Sequence, residues 1–238
     1  MHLSAAAAKI NKWAVQQSGD TLEMIERPRG GLSVVLVDGQ SSGRAAKQVS
    51  MWVVRKVIAD LAEGVRDGAA ARAANDVLYA LRDGKVSATL VILSADLASH
   101  SLVVTRCGNP EVYLREPEGG FRRLEGTAPP LGFYRHVRPL VDSLPLEPNW
   151  MLCAFTDGVL HAGSRKGQAL DVAATLAALW KVSPEAQALA DGLLARALEL
   201  EEQRPGDDAS VAVLQVLPGA TAGPRFMRVE MPLPDDLG

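Results

Sequence analysis

Val34-Val35-Leu36-Val37-Asp38-Gly39 is the stretch on which the reading of the whole chain turns. Its four apolar residues, three of them β-branched, describe a buried strand. The strand ends on an aspartate and a glycine, and after a short Gln40-Ser41-Ser42-Gly43 loop a long helical pattern begins at Arg44. A carboxylate at the end of a core strand costs free energy unless something binds it. Gly39, lacking a Cβ, lets the backbone come close to the same partner. Two readings stand on this stretch alone. Asp38 caps the following helix, or it binds a divalent metal.

Outward from that strand, the totals bound the rest. The chain has 238 residues, 47% hydrophobic and 22% charged, which is an ordinary balance for a globular protein of one large or two small domains. A net charge of −3 favours neither nucleic acid nor a membrane surface as partner. Cys107 and Cys153 sit in apolar, strand-like runs, with no Cys-x-x-Cys and no Cys/His cluster, so zinc is not indicated. Buried free thiols suit a reducing cytosol. The first residues lack a secretory pattern, and no apolar run reaches the roughly 18 residues of a membrane helix. The expected setting is cytoplasmic.

Patterning gives the order of elements. A first strand falls within residues 6–17, carrying Ile10, Trp13 and Val15, and a second spans Thr21 to Glu26. After the strand over Leu32 to Val37, a helix from Arg44 to Glu63 buries Ala46, Val49, Val53, Val54, Val57, Ile58 and Leu61 on one side. A second helix spans about Ala69 to Arg82. Strands then return at 88–94, 101–107, 111–115, 121–124, 136–141 and 150–155, with 126–134 as a loop. Asp171 to Trp180 is helical, and Ser183-Pro184-Glu185 reads as the capped start of another helix. A strand over Ser210 to Leu217 closes the domain. Blocks of strands alternating with helix pairs mean α+β: a central antiparallel β-sandwich with a helix pair on each outer face. The domain occupies residues 1–217. Residues 218–238 form an extension, with an edge strand over Arg225 to Met231 and a mobile acidic end at Asp235-Asp236.

Three aspartates share one setting, at the junction of an apolar strand and a loop. Asp38 follows Leu36-Val37, Asp157 follows Cys153-Ala154-Phe155-Thr156, and Asp207 precedes Ala209-Ser210-Val211-Ala212-Val213. Asp20, after Gly19, precedes a fourth such strand. Asp67-Gly68, Asp83-Gly84 and Asp191-Gly192 read as turns only. Carboxylates brought together at one sandwich edge repel unless cations hold them, and hard oxygen ligands indicate magnesium or manganese.

The chain resembles the PPM-type metal-dependent phosphatases, the protein phosphatase 2C superfamily, in its bacterial SpoIIE-like branch. The matching segments fall in the family's order: Gly19-Asp20, Val37-Asp38-Gly39 to Gly43, Ser87-Ala88-Thr89-Leu90, Cys107-Gly108-Asn109-Pro110, Pro130-Leu131-Gly132, Phe155-Thr156-Asp157-Gly158 and Gly206-Asp207-Asp208-Ala209-Ser210. The resemblance implies two Mn2+ or Mg2+ ions. Asp38 would bridge them, the Gly39 carbonyl would bind the second, and Asp157 and Asp207 would complete the first. Asp20 would hold metal-bound water from the outer shell, and Asp208 would support Asp207. Thr89 and Asn109 fall in segments read as turn and packing positions. A hydroxide between the ions would attack phosphorus, with no cysteine or serine nucleophile. The implied partner is a phosphorylated regulatory protein of bacterial stress signalling, with a STAS-domain scaffold or antagonist as substrate.

Two departures stand out. Ser41 occupies a position where the branch often has glycine, with Ser42 beside it, and Gln40 stands where eukaryotic members carry a histidine. The general acid is thereby unassigned. The alternative reading is a catalytically weak or inactive PPM-like module that binds a signalling partner. His161 reads as a surface or capping residue, Arg27 and Arg29 as a solvated hairpin, and Trp13, Trp52, Trp150 and Trp180 as core or interface anchors.

Overall fold

A computed structural model describes residues 1–219 and 223–232. Strand β3, Gly31–Gly39, is the deciding stretch extended by three residues at its start. Its alternation sets the architecture. Val34 and Leu36 point to one side and Val35 and Val37 to the other, and both sides are buried. A strand buried on both faces must lie between two layers.

Two antiparallel five-stranded sheets provide the layers. The first runs β1 (His2–Ile10), β10 (Ala209–Leu217), β9 (Met151–Phe155), β6 (Val112–Arg115), β7 (Phe121–Arg123). The second runs β2 (Thr21–Glu26), β3, β4 (Ala88–Asp96), β5 (Ser101–Cys107), β8 (Leu140–Pro145). Val34, Leu36, Val91 and Leu93 of one sheet meet Leu114, Leu152, Ala212 and Leu214 of the other in the sandwich core. Helices α1 (Gly43–Ala62) and α2 (Asp67–Arg82) cover Val35, Val37, Leu90 and Ile92. Helices α4 (Val172–Val182) and α5 (Ala186–Leu200) cover Met151, Cys153, Val211 and Val213. The α+β sandwich with outer helix pairs is therefore present. The apolar stripe expected of α1 is buried at Ala46, Val49, Val53, Val54, Val57 and Leu61.

Several boundaries differ from the patterning. The first strand is β1, which ends at Ile10, and Trp13 beyond it is exposed under the Arg204 guanidinium. The strand expected at 136–141 forms at Leu140–Pro145, where β8 pairs with β5. Helix α5 starts at Ala186 rather than Pro184, and its N-cap residue Glu185 makes no side-chain cap bond. A short α3, Asp157–Leu160, was not legible in the pattern. Residues 224–232 form no strand; exposed Arg225 instead pairs with Glu26. Asp235-Asp236 lie outside the described residues.

Arg27 and Asp67 reverse their sequence readings. Arg27 is buried and bonds Asp67 at 2.7 Å and Ser33 at 3.1 Å, while Ser94 donates to the other Asp67 oxygen. Asp67 is the first residue of α2, so the pair anchors that helix to β2, β3 and β4. Asp191-Gly192 is not a turn either, since both residues lie inside α5.

Candidate active site

The aspartates gather where β3 and β9 end, β10 begins and the turn before β2 passes. Asp38 is the penultimate residue of β3, in register with Thr89 of β4. Asp157 opens α3 directly after β9, and Asp207-Asp208 lead into β10. Asp38, Thr89, Asn109, Glu111, Thr156 and Asp157 line a cleft of ≈ 140 Å³ between the two sheets.

The five carboxylates divide by what holds them. Asp208 is buried and accepts from two backbone N–H groups, Lys12 at 2.9 Å and Gly19 at 2.8 Å. Asp20 is buried too, and its Oδ2 accepts from Thr156 Oγ1 at 3.0 Å and Ser210 Oγ at 2.6 Å. Lys47 Nζ donates to the Asp20 carbonyl at 2.8 Å and Lys9 Nζ to the same oxygen at 3.2 Å. Those two residues therefore form a satisfied frame. Asp38, Asp157 and Asp207 differ: among the described residues, no side chain of another residue donates a hydrogen bond to their carboxylates. Asp207 accepts from the neighbouring Asp208 N–H at 2.9 Å, with Lys12 Nζ 4.0 Å away in an exposed pair.

Crowding shows in the acidities. Burial, then the fields of Asp20, Asp157, Asp207 and Asp208, push the Asp38 carboxyl up to about 8. Every one of those influences raises it. Asp20 is pushed up to about 6, chiefly by burial, with the bonds from Ser210 and Thr156 pulling the other way. Asp157 is raised by burial and by Asp207, against His161 and the Gly158 N–H. His161 thus both caps α3 and acts electrostatically on the rim.

The glycines after the aspartates serve the framework. A Cβ on Gly39 would sit 2.1 Å from the Ala46 carbonyl oxygen of α1, and one on Gly158 would sit 2.1 Å from that of Asp208. These glycines make room for neighbouring backbone, a packing role beside the ligand role that the sequence reading gave Gly39. Neither lies in the left-handed region, so the hairpin-turn explanation of Asp-Gly does not apply.

Ser41 does lie there, at φ 85°, which explains why glycine suits the position. Gln40 turns away from the cleft: its Oε1 accepts from Ser87 N–H at 2.9 Å. Asn109, at φ 59°, accepts the Ala128 N–H on Oδ1 at 2.8 Å and ties its turn to the 126–134 loop. Cys107 and Cys153 are buried, which pushes both thiols up to about 12. Thr156, Ser210 and Lys47 had no individual role in the sequence reading. Thr156 and Ser210 stand inside the quoted motifs, whereas Lys47 sits on the wet side of α1 and carries no signal.

The rim offers carboxylate and backbone oxygens, and no thiol or imidazole lines the cleft. That donor chemistry fits hard divalent ions such as magnesium or manganese. Among the described residues no three acidic, histidine or cysteine groups already close into a ligand cage.

Comparison with known proteins agrees with this fold. The family model described as Stage II sporulation protein E (SpoIIE) matches residues 28–217. Protein IcfG of Synechocystis sp. is 33% identical over 82 residues, which are 34% of this chain and 13% of IcfG; the chain spans a small part of that curated relative. The phosphatase domain of SpoIIE from Bacillus subtilis, solved with a fragment of its regulatory domain, superposes with a TM-score of 0.75 at 19% identity, covering 92% of this chain and 64% of that one. RsbX in complex with magnesium gives 0.67 at 17% identity, covering 90% and 95%. The catalytic domain of the serine/threonine phosphatase PstP, in complex with two manganese ions, gives 0.67 at 19%, covering 91% and 99%. At such identities these structures speak for the fold. The family match spans well over half of the sequence, and on it the chain belongs to the SpoIIE family, the bacterial branch of the PPM-type serine/threonine protein phosphatases.

Proposed function

We propose that this chain hydrolyses phosphoserine or phosphothreonine on a bacterial regulatory protein, with two manganese or magnesium ions held by Asp38, the Gly39 carbonyl, Asp157 and Asp207. The observation that carries this reading is Asp38 itself. It is a half-buried carboxylate surrounded by four others, and the largest influences on its acidity, burial and those four acids, all raise it. Such a cluster is costly unless positive charge arrives. When bound, divalent ions supply an activated water and positive charge for the phosphoryl oxygens.

The chain's own residues supply the rest. Asp20 and Asp208, fixed by buried hydrogen bonds, hold the turn and the β10 lead-in against each other. Asp157 and Asp207 are thereby carried to one rim. Gln40 is bonded to Ser87, and Glu111 is paired with Arg123 at 2.8 Å, so neither is placed to protonate the leaving serine oxygen. Water is left to fill that role.

Release of phosphate from p-nitrophenyl phosphate tests the reading, with manganese, magnesium or chelator, on the wild type and on Asp38→Asn. Metal-dependent turnover abolished by the substitution is expected. Metal-independent turnover, or turnover unchanged in Asp38→Asn, would sink it. The finer reading, a STAS-domain stress-signalling or antagonist protein as substrate, rests on the family resemblance; hydrolysis of phosphotyrosine or small metabolites, but not of phosphoserine proteins, would remove it.

The strained Ser41 in the metal loop favours a second reading, a weak or inactive module that signals by binding. A folded wild type with no turnover under any metal, regained in Ser41→Gly, would place the defect in that loop.

A further inference from the structure

A second pocket of opposite character opens where the chain leaves β3 for α1. It occupies ≈ 260 Å³ and is lined by Gln40, Ser41, Gln48, Arg82 and Lys85 together with aliphatic atoms of α1 and of Val86 before β4. No acidic residue lines it. Among the described residues neither Arg82 nor Lys85 pairs with a carboxylate, in contrast to Arg27, Arg106, Arg122, Arg123 and Arg196. Arg82 instead lies 5.8 Å from the centre of the Trp52 ring, which leaves its hydrogen-bonding edges available. Asp83 adjoins both cations in sequence, yet its side chain does not line the pocket.

The pocket's place relative to the reaction centre follows from the chain. Gln40 and Ser41 are the second and third residues after Asp38, so their Cα atoms lie within about 7–10 Å of the Asp38 Cα. An extended peptide with its phosphoserine at Asp38 reaches this wall with a residue two or three positions away. Beyond the Asp83-Gly84-Lys85 turn, the segment after Leu131 runs alongside: Leu131 pairs with Ala88, and a Cβ on Gly84 would meet the Phe133 carbonyl at 3.3 Å. Phe133 and Tyr134 there are 51% and 52% exposed, and their rings meet edge to face at 5.0 Å. Exposed aromatics beside unpaired cations, on a chain of net charge −3, form a local recognition surface of opposite sign to the whole.

We propose that this pocket is a subsite for an acidic side chain of the phosphoprotein substrate, two or three residues from the phosphoserine, with Arg82 and Lys85 as the specificity-determining cations. The inference rests on the phosphatase reading for the identity of the ligand, but its test does not require turnover. Fluorescein-labelled phosphoserine peptides are compared, identical except for Asp/Glu, Gln/Ser or Lys/Arg at the two and three positions on either side. Affinity is read by anisotropy in chelator and again with manganese, on the full chain. The wild type binds the acidic peptide about tenfold more tightly than the basic one, an ordinary yield for two solvent-facing charges. In Arg82→Glu/Lys85→Glu the order of the two peptides reverses, and Arg82→Gln/Lys85→Gln abolishes the preference. Because each protein is judged by the ratio of two peptides, a general loss of affinity cancels. Equal affinity of the wild type for all three peptides, or an acidic preference that survives both double substitutions, overturns the proposal. Absence of metal-dependent hydrolysis of p-nitrophenyl phosphate would count against the phosphatase reading alone.

Discussion

Thr156 Oγ1 donates a hydrogen bond to Asp20 Oδ2 at 3.0 Å, joining the end of β9 to the turn before β2. The same hydroxyl accepts the Ser210 N–H at 3.0 Å, and Ser210 Oγ in turn donates to Asp20. One buried threonine therefore connects three of the segments that deliver aspartates to the rim. Thr156→Val keeps the shape and removes both bonds, leaving a backbone N–H without a partner. A loss of about 1–3 kcal/mol is expected in urea unfolding, together with a weaker response to manganese. Thr156→Ser restores both. An unfolding midpoint for Thr156→Val equal to that of the wild type would show that the triangle is not a structural link.

Asp38 governs a dependence on pH. Its carboxyl is held at about 8 in the metal-free protein, against 3.8 for an ordinary aspartate. Between those values the folded chain binds a proton that the unfolded chain has released, so stability falls as pH rises from about 4 to 8. Asp20, raised to about 6, adds to the lower part of the same window. Divalent ions must displace the Asp38 proton, and their affinity rises over that range. Thermal melts in chelator should therefore decline from pH 5 to pH 8, and the increase in Tm on adding manganese should grow over the same interval. Asp38→Asn flattens both trends. A manganese shift as large at pH 5 as at pH 8 contradicts the assignment.

Ser41 is a residue whose own conformation opposes it. A side chain in the left-handed region costs on the order of 1 kcal/mol relative to glycine. Among the described residues no side-chain hydrogen bond of Ser41 offsets that cost. Ser41→Gly is expected to raise stability by about 0.5–1 kcal/mol, partly offset by the greater freedom of glycine in the unfolded chain. A lower melting temperature in the variant would mean that the serine side chain is held by a contact of the loop.

Arg27 and Asp67 predict a stability effect separate from the cleft. Their side chains are 5% and 4% exposed, and without Asp67 the buried Arg27 keeps only the longer contact to the more exposed Asp96, at 3.8 Å. Asp67→Ala should cost about 3–5 kcal/mol, on the order of 10 °C in Tm for a chain of this size. The metal concentration for half-maximal turnover should not move. A change there with no change in Tm would place the pair in the reaction rather than in the frame.

The sandwich could be read from the sequence because strands buried on both faces leave a plain record: Val34 to Val37 and Val211 to Val216 can only sit between layers. The three rim aspartates were legible for a related reason, since a carboxylate at the end of such a strand stands against its neighbours. What failed were residues whose partners are remote in sequence. Asp67 looked like a turn because its arginine lies 40 residues earlier. Lys47 looked solvated because the Asp20 carbonyl it binds belongs to another element. Trp13 looked like an anchor because hydrophobicity alone does not say whether a ring is covered, and here an arginine faces it in solvent. Ser183-Pro184 had the composition of a cap, while the Pro184 carbonyl is used by Gln215 at 2.8 Å and the helix starts two residues later.

Gly39 and Gly158 carry the last prediction. Each follows a rim aspartate, and each faces a carbonyl oxygen that an added Cβ would approach to 2.1 Å. The opposing atoms are backbone, of Ala46 and of Asp208, and cannot swing aside as a side chain could. Gly39→Ala must push α1 off the end of β3, and Gly158→Ala must push α3 off the β10 lead-in. Each should lose at least 1–3 kcal/mol, the usual range for overpacking, and with it the manganese-dependent rise in Tm, because the displaced segment carries an aspartate. Gly120→Ala provides the comparison: no atom lies within 4 Å of its added Cβ, and its φ is not in the left-handed region. That variant should melt like the wild type with its metal response intact. If Gly39→Ala did the same, close approach of α1 to β3 would not be what fixes Asp38, and the glycine after it would have to be explained by a ligand at its carbonyl.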